Sequence, residues 1–238
     1  MVAVGAGARE MIGDQIRSIG SNIIIVVPGA TTQTGARLGS GSVHTLKTSD
    51  AEAMMKEAPA VKLAAPTWGD VSQVVYGARN WRTRVNGTTK DHFPIREWSL
   101  RFGRMFSAED ERYASKVALL GTTVVENLFG DEYPVGKYIR IKNTPFEIIG
   151  VLEKKGQSPR GEDQDDAIFV PIRTAQYRLF GSPFLDEVKA ILVQAKDVDQ
   201  IADAEKQIDE LLTRRHKIGR NQEKDFSVRN LTEILNTA

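Results

Sequence analysis

The stretch that decides the fold runs from Leu128 to Leu152 and reads LFGDEYPVGKYIRIKNTPFEIIGVL. It leaves a helical pattern, passes through a segment rich in turn residues, and continues as KYIRI and FEIIGVL, joined by KNTP. Alternation of apolar and polar residues is typical of half-buried β-strands. The stretch therefore predicts the end of a helix, a turn and a β-hairpin.

The Gly136-Lys137 pair resembles the end of a phosphate-binding loop, but its surroundings do not fit one. Such a loop has four residues between its glycines, a Ser or Thr after the Lys, and a following helix. Here five residues separate Gly130 from Gly136, Tyr138 follows the Lys, and a strand pattern comes next. Pro134 also removes one amide donor. We interpret Gly130, Pro134 and Gly136 as a structural turn and predict no cofactor-binding site.

Hydrophobic periodicity predicts the other elements of the chain. Residues 3–19 and 198–216 have helical spacing, with Asp197 predicted to cap the second of these helices. Residues 30–45 and 154–167 are aperiodic and predict loops. Shorter predicted helices are AEAMMKEA with a capping box at Ser49 and Glu52, SAEDER capped by Ser107, TVVENLF capped by Thr122, residues 172–179, and a last one beginning at LTEILNTA. Predicted strands are NIIIVVPG, a hairpin within 61–88 that turns at Gly77 to Asn80, KVALLG, AIFVPI, EVKAILVQA and DFSVRN.

Composition excludes several classes of protein. The net charge of the 238 residues is +1, so no broad basic field predicts nucleic-acid binding. With no cysteine, the chain has no disulfide, thiolate nucleophile or cysteine zinc ligand. No apolar run approaches the ~20 residues of a membrane helix, and the first residues do not resemble a signal peptide. Any exporting segment is expected to lie outside this chain.

No group of residues has the spacing of a catalytic or metal site, so we predict neither. The three histidines, His44, His92 and His216, lie apart in the sequence and are interpreted as exposed and structural. The carboxylates of SAEDE (107–111) and GEDQDD (161–166) are predicted to be solvated. The basic residues Arg79, Arg82 and Arg84 form either a local basic patch or, in the interpretation we favour, a solvated strand face. We interpret Trp68, Trp81 and Trp98 as core residues.

The distribution of predicted helices and strands along the chain predicts an α+β fold in two parts. Both ends combine helices with strands, whereas the middle is rich in strands and has short helices. We expect a discontinuous mixed α/β part formed by residues 1–89 and 183–238. The β-rich part, residues 90–182, is then inserted into it.

Several blocks of the sequence, taken in order, resemble MacB-type ABC transporter permeases. The segment VALLGTTVVENLFGDEYPVGKYIRIKNTPFEIIGVLEKKG is similar to their central motif, with the best matches at Val135 to Arg140 and Phe146 to Leu152. Further similarity lies in VGAGAREMIGDQIRSIGSNIIIVVPG, TSDAEAMMKEAPAVKLAAP, RFGRMFSAEDERYASKVALLG and IFVPIRTAQ. The resemblance extends over about residues 4–236.

The resemblance implies a fold, a location and partners. The fold would be a porter-like α/β subdomain with an inserted β-rich, Sabre-like subdomain, placed in the periplasm between two membrane helices outside this chain. The implied function is to relay motion driven by ATP hydrolysis in a separate ATPase domain. The implied partners are a second copy of the permease, a membrane-fusion adaptor and an outer-membrane duct, with macrolides, peptides or other envelope compounds as substrates.

A free-standing periplasmic ligand-binding or enzyme domain is the alternative. An enzyme would show a pocket with converging polar groups, and the sequence offers no three residues for one. Apolar segments of ~20 residues directly flanking the chain would favour the permease hypothesis.

Overall fold

In the computed structural model of the protein, the described residues are 22–29, 45–158, 161–181 and 186–231. They contain ten strands and six α-helices, and the predicted α+β class is confirmed. The helix predicted at 3–19, nearly all of the loop predicted at 30–45, and the helix predicted after Leu231 lie outside the described residues. No helix in the described ranges is both long enough and apolar enough to cross a membrane.

The chain divides into two compact units. Unit 1 comprises the residues up to Ala64, Pro94–Glu97 and the residues from Ile191 onward, whereas unit 2 comprises Ala65–Phe93 and Trp98–Ala190. From the sequence we predicted the mixed α/β part at residues 1–89 and 183–238 and the inserted β-rich part at 90–182. That assignment stays a prediction.

Unit 1 is built on a short antiparallel sheet. Its central strand β1 (Ile23–Pro28) pairs with β10 (Phe226–Asn230) on one side and with β9 (Ala190–Ala195) on the other. The β1 sequence IIIVVP consists of β-formers that suit a central position, and its Pro comes last, where a missing amide donor costs least.

Two helices complete unit 1. They are α1 (Thr48–Glu57) and α6 (Ile201–Arg215), and α6 packs against α1, β1 and β10. The stripe predicted on α6 is buried at Ala204, Ile208, Leu211 and Leu212. Val198 is 54% exposed because residues Val198–Gln200 form a 3-10 turn after Asp197 and not the start of the α-helix.

Unit 2 is a closed ring of six strands with one strand added outside it. Following the hydrogen-bonded pairs, β2 joins β3, then β8, β5, β7, β6 and finally β2 again. The added strand, β4, pairs with β7. The bounds are β2 Val61–Tyr76 (its first residues belong to unit 1), β3 Arg79–Thr88, β4 Leu100–Gly103, β5 Val117–Leu120, β6 Tyr138–Ile141, β7 Thr144–Leu152 and β8 Ala167–Pro171.

Alternate residues of the ring strands form one apolar core. Each strand contributes to it: Val74, Val85, Ala118, Leu120, Ile139, Ile141, Phe146, Ile148, Ile168 and Val170. Helix α4 (Thr122–Leu128) adds Val124 and Leu128 to the same cluster. A second, smaller cluster, centred on Phe93, Trp98 and Phe169, lies on the opposite face of β5, β7 and β8.

The remaining helices of the described chain are short. They are α2 (His92–Ile95), α3 (Ala108–Arg112) and α5 (Ile172–Thr174), and α5 continues as a π-helix over Ala175–Phe180. The helix predicted over 172–179 is therefore confirmed, with an α-helical first turn and a π-helical continuation. Trp68 and Trp98 are buried as predicted, and the half-buried Trp81 donates to Asp166 at 2.8 Å.

Candidate functional site

The turn that follows α4 uses two glycines in the left-handed conformation. Gly130 has φ +64°, and its amide donates to the carbonyls of Val125 and Glu126, both at 3.2 Å. Gly136 has φ +85°, and its amide donates to the carbonyl of Ile148 at 2.8 Å. These amides close a helix and begin a strand pair, which is the ordinary task of turn residues. The role of Gly130, Pro134 and Gly136 as a turn of the family motif stays a prediction.

Lys137, which follows this turn, has its own partners within unit 2. Its ammonium pairs with Glu132 and stands 5.8 Å from the centre of the Tyr76 ring. The Tyr76 hydroxyl also donates to Glu132, at 3.0 Å. The lysine thus fastens the turn to the tip of the β2–β3 hairpin.

Between β7 and β8, the described residues 153–158 and 161–166 make up what we call the anchored loop. Its base is held by Asp165, a carboxylate only 1% exposed. The two oxygens of Asp165 accept the amides of Lys155 and Gly156, each at 2.8 Å. Hydrogen bonds to a charged acceptor are stronger than neutral ones, so this carboxylate fixes both ends of the loop to each other.

Two further contacts hold the anchored loop against the rest of unit 2. Thr123, in the first turn of α4, donates to Asp163 at 2.7 Å. Gly121 lies so close to the loop that a Cβ there would stand 2.1 Å from the carbonyl oxygen of Asp165. Beyond these anchors Glu162 and Lys154 are exposed. The loop therefore presents charged side chains on a rigid base, a geometry that suits docking.

The prediction that both carboxylate clusters are solvated is wrong for two residues. Asp165 is buried as described, and Asp110 is 6% exposed. Asp110 accepts the Ser107 amide at 2.8 Å and Arg104 Nη1 at 2.6 Å. Burial raises the pKa of Asp110, but its bonds to Arg104 and Ser107 outweigh burial and lower the pKa below its usual value. The sequence predicted Ser107 as the N-terminal cap of helix α3, and the structure confirms it.

Unit 1 contains a buried charged cluster that the sequence did not predict. His216, directly after α6, lies between two carboxylates, with Nδ1 at 2.8 Å from Asp225 and Nε2 at 3.3 Å from Asp50. The side chain of His216 is 8% exposed and each carboxylate 3%. Arg215 Nε reaches the other oxygen of Asp50 at 2.9 Å. We call these four residues the histidine clamp, since it joins α6, α1 and the residue before β10.

The carboxylates decide the charge of the clamp. Burial by itself would lower the pKa of His216, but the hydrogen bonds and charges of Asp225 and Asp50 outweigh it and raise the pKa to about 9. Burial likewise raises the pKa of Asp50, whereas its bonds to His216, Arg215 and the Lys47 amide lower the pKa more strongly. The imidazole is therefore a cation at neutral pH and donates from both nitrogens.

The expectation of exposed histidines is thus wrong for two of the three. His216 is the centre of the clamp, and His92 is 8% exposed and packs 5.3 Å from the Phe169 ring. His44 lies outside the described residues. In the described part of the chain, no three His, Cys, Asp or Glu side chains are placed to hold a metal ion.

The fold of this chain is similar to the folds of two solved structures. The periplasmic region of MacB from Actinobacillus actinomycetemcomitans matches with a TM-score of 0.75 and 25% identity, covering 93% of this chain and 94% of that one. The extracellular domain of the ABC-type transporter YknZ from Gram-positive bacteria matches with a TM-score of 0.70 over 88% of this chain and 100% of that one. Its identity is 19%, so this second likeness concerns the fold alone.

Sequence comparison gives the family. The model of the MacB-like periplasmic core domain matches residues 1–211. The macrolide export ATP-binding/permease protein MacB of Marinobacter nauticus is 38% identical over 238 residues, which are 100% of this chain and 35% of that protein. The protein of the same name from Chlorobaculum tepidum is 37% identical over 238 residues, covering 98% of this chain and 35% of the relative.

The chain belongs to the family of MacB-like periplasmic core domains. It is the periplasmic domain of a MacB-like ABC transporter permease, which confirms the family resemblance and the predicted location. The chain spans about a third of the length of the curated relatives it matches.

Proposed function

We propose that this domain relays motion from the membrane helices of a MacB-like permease to periplasmic partners, without catalysing a reaction itself. The match over the entire chain to a relative named as a macrolide export ATP-binding/permease protein carries the proposal. ATP would be bound and hydrolysed by a separate ATPase domain or subunit. The exported compounds would be macrolides, peptides or other compounds of the cell envelope.

The proposal includes three partners besides the ATPase. A second copy of the permease forms the dimer, a membrane-fusion adaptor docks in the periplasm, and an outer-membrane duct continues the path. The anchored loop supports the adaptor proposal, because it presents Lys154 and Glu162 on a base fixed by Asp165 and Thr123. Residues whose backbone is already held by such anchors have less entropy to lose on binding.

The relay predicts that ATP changes the distance between the two copies of this domain. Since the chain contains no cysteine, Lys206→Cys on the exposed face of α6 introduces one spin label per copy into a full-length permease freed of other cysteines. We expect pulsed electron paramagnetic resonance to show one distance distribution without nucleotide and a shifted one with a non-hydrolysable ATP analogue. Identical distributions in both states would contradict the relay.

The anchored loop predicts a charge-sensitive contact with the adaptor. Lys154→Glu combined with Glu162→Arg reverses the exposed charges and leaves the anchors intact, so we expect capture of the purified cognate adaptor by the full-length permease to weaken about tenfold, or about 1.4 kcal/mol. The matched control is Lys206→Glu with Glu210→Arg on the exposed side of α6, where the same exchange should leave capture unchanged. Equal capture by both variants would exclude the loop from the contact.

A further inference from the structure

Three arginines project from the same side of the ring in unit 2. Arg82 and Arg84 lie on β3 and Arg140 on β6, and all three are exposed. Their neighbours along the strands, such as Thr83 and Ile141, are buried. Because successive side chains of a strand point to opposite faces, the arginines occupy the outward positions. We call these three residues the arginine face. Arg82 and Arg84 are exposed, as expected for a strand face that meets solvent.

The strand register places uncharged residues of β2 between Arg140 and the two arginines of β3. Arg82 lies opposite Gln73 of β2 and Arg84 opposite Val71. Arg140 lies opposite Val75, on the other side of β2. Neighbouring strands are about 5 Å apart and successive residues of a strand about 3.4 Å apart, so Arg82 and Arg140, which are offset by two residues, stand roughly 12 Å apart across β2. No two arginines are directly opposite, which avoids the like-charge pairing that destabilises a sheet.

Within the ranges that the structure describes, none of the three arginines has a carboxylate within ion-pair distance. Other arginines of this chain do: Arg104 pairs with Asp110 at 2.6 Å and Arg214 with Glu57 at 2.8 Å. The outward positions of β2, β3 and β6 contain no Asp or Glu either. They hold Val71, Gln73, Val75, Asn80, Arg82, Arg84, Tyr138 and Arg140. Two carboxylates border these positions, the exposed Asp70 next to Val71 on β2 and the half-buried Glu147 of β7 opposite Tyr138. The arginines outnumber them, so the patch is net cationic although the whole chain is nearly neutral.

We propose that the arginine face docks an acidic surface of a partner protein. A guanidinium is a planar fork of donors that pairs with a carboxylate through two parallel hydrogen bonds, and arginine is enriched at protein interfaces for this reason. The closed ring fixes the backbone positions of the three arginines. Val71, 45% exposed among them, offers a small apolar contact. The partner's carboxylates would be spaced to meet arginines whose backbone positions are roughly 7 to 17 Å apart on the sheet.

A protein fits this face better than a membrane surface. Segments that lie on membranes combine basic residues with Trp, Phe or Leu that enter the acyl region. The outward positions of β2, β3 and β6 offer valines, amides and one tyrosine, so they lack such side chains. This docking surface is made of other residues than the anchored loop, and the proposal requires a partner but not the relay of motion.

The test is a photo-crosslink from the centre of the face. Gln73, which lies opposite Arg82 on β2, is replaced by p-benzoylphenylalanine in the full-length permease in its native membranes, so that all three arginines stay in place. We expect a protein adduct whose crosslinked peptide, identified by mass spectrometry, is rich in Asp and Glu. The same probe at Lys206 on α6 is the matched control and should not give this adduct.

Charge reversal makes the test specific. Arg82→Glu, Arg84→Glu and Arg140→Glu together should reduce the adduct at least tenfold, while circular dichroism and tryptophan fluorescence stay unchanged because all three side chains are exposed. Replacing the crosslinked carboxylates of the partner by Lys should then restore the adduct with the reversed variant. Adducts with lipid alone, no adduct, or a protein adduct that survives charge reversal would each overturn the proposal.

Discussion

Replacing His216 by Gln will lower the free energy of unfolding of unit 1 by about 3 to 5 kcal/mol, the usual cost of breaking a buried ion pair from one side. The substitution leaves Asp50 and Asp225 buried, each 3% exposed in its side chain, without the cation between them. Arg215 still reaches Asp50, but at the oxygen that does not face His216. Asp225 loses its bond to the imidazole altogether.

Urea unfolding of the 238-residue chain, followed by far-ultraviolet circular dichroism, measures this effect. All three tryptophans lie in unit 2, so their fluorescence serves as a separate probe of that unit. The control is Arg214→Ala, which removes an exposed pair with Glu57 and should cost less than about 1 kcal/mol. Equal stability of the His216 variant and the control would show that the clamp does not stabilise unit 1.

The pH dependence of stability identifies the charge of His216 as the cause. Its pKa is about 9 in the folded chain against 6.5 for an ordinary histidine, so the folded state holds the proton more tightly. This contribution is complete below pH 6.5 and is lost as the pH rises through the folded pKa of about 9, a difference of about 3 kcal/mol. The unfolding free energy of the native chain should therefore fall between these values, and the Gln variant should lack that fall.

The strands were predictable because their signals are local. KYIRI and FEIIGVL alternate within a few residues, and both become strands, β6 and β7. The connection is tighter than predicted, since only Lys142 and Asn143 separate the strands and both have positive φ. In the same way Gly77 and Ala78 alone form the turn predicted at Gly77 to Asn80. Local patterns thus fixed the type of each element more reliably than its ends.

Helix starts were less predictable because several residues compete for each cap. Ser49 and Glu52 have capping-box spacing, but α1 begins at Thr48, and Asp50 accepts the Lys47 amide at 2.9 Å. Likewise Gly121, and not Thr122, precedes the first turn of α4. In α1 the competing residue is Asp50, which also belongs to the histidine clamp. Its carboxylate therefore makes both the local cap and a long-range contact.

The histidine clamp and the closed ring could not be predicted from spacing. His216 and Asp50 are 166 residues apart in the chain, and no local pattern links them. The ring likewise depends on which strands become neighbours: β3 pairs in parallel with β8, far along the chain, and β6 closes on β2. Periodicity predicts strands but not their partners, so the family resemblance was the one source of long-range information in the sequence.

Gly103→Ala will destabilise unit 2 by about 3 kcal/mol, because two costs add at this residue. Gly103 has φ +84°, where a side chain costs about 1 to 2 kcal/mol. A Cβ would also stand 2.1 Å from the carbonyl oxygen of Ile149 and 2.6 Å from the Cα of Gly150. Both neighbours are backbone atoms of β7, and overpacking of this kind costs about a further 1 to 3 kcal/mol.

Gly136→Ala separates these two costs. Gly136 has nearly the same conformation, φ +85°, but no atom lies within 4 Å of the position its Cβ would take. We expect this variant to lose only the conformational part, about 1 to 2 kcal/mol. Urea unfolding followed by tryptophan fluorescence is the measurement, since Trp98 packs in the small core cluster beside β4 and β7. Equal losses for the two variants would show that β4 moves away from β7 at little cost.

The larger loss at Gly103 would also explain the glycine in GRMFS (103–107), a segment of one of the blocks that resemble MacB-type permeases. Gly103 is followed by Arg104, Phe106 and Ser107, and each has a distinct contact in unit 2. Arg104 pairs with Asp110, Phe106 is 5% exposed in the small core cluster, and Ser107 caps α3. All three contacts require the chain to leave β4 along β7 without a side chain at Gly103. In GRMFS the glycine then lets the backbone pass close to β7, and the residues after it make the contacts that hold the chain in unit 2.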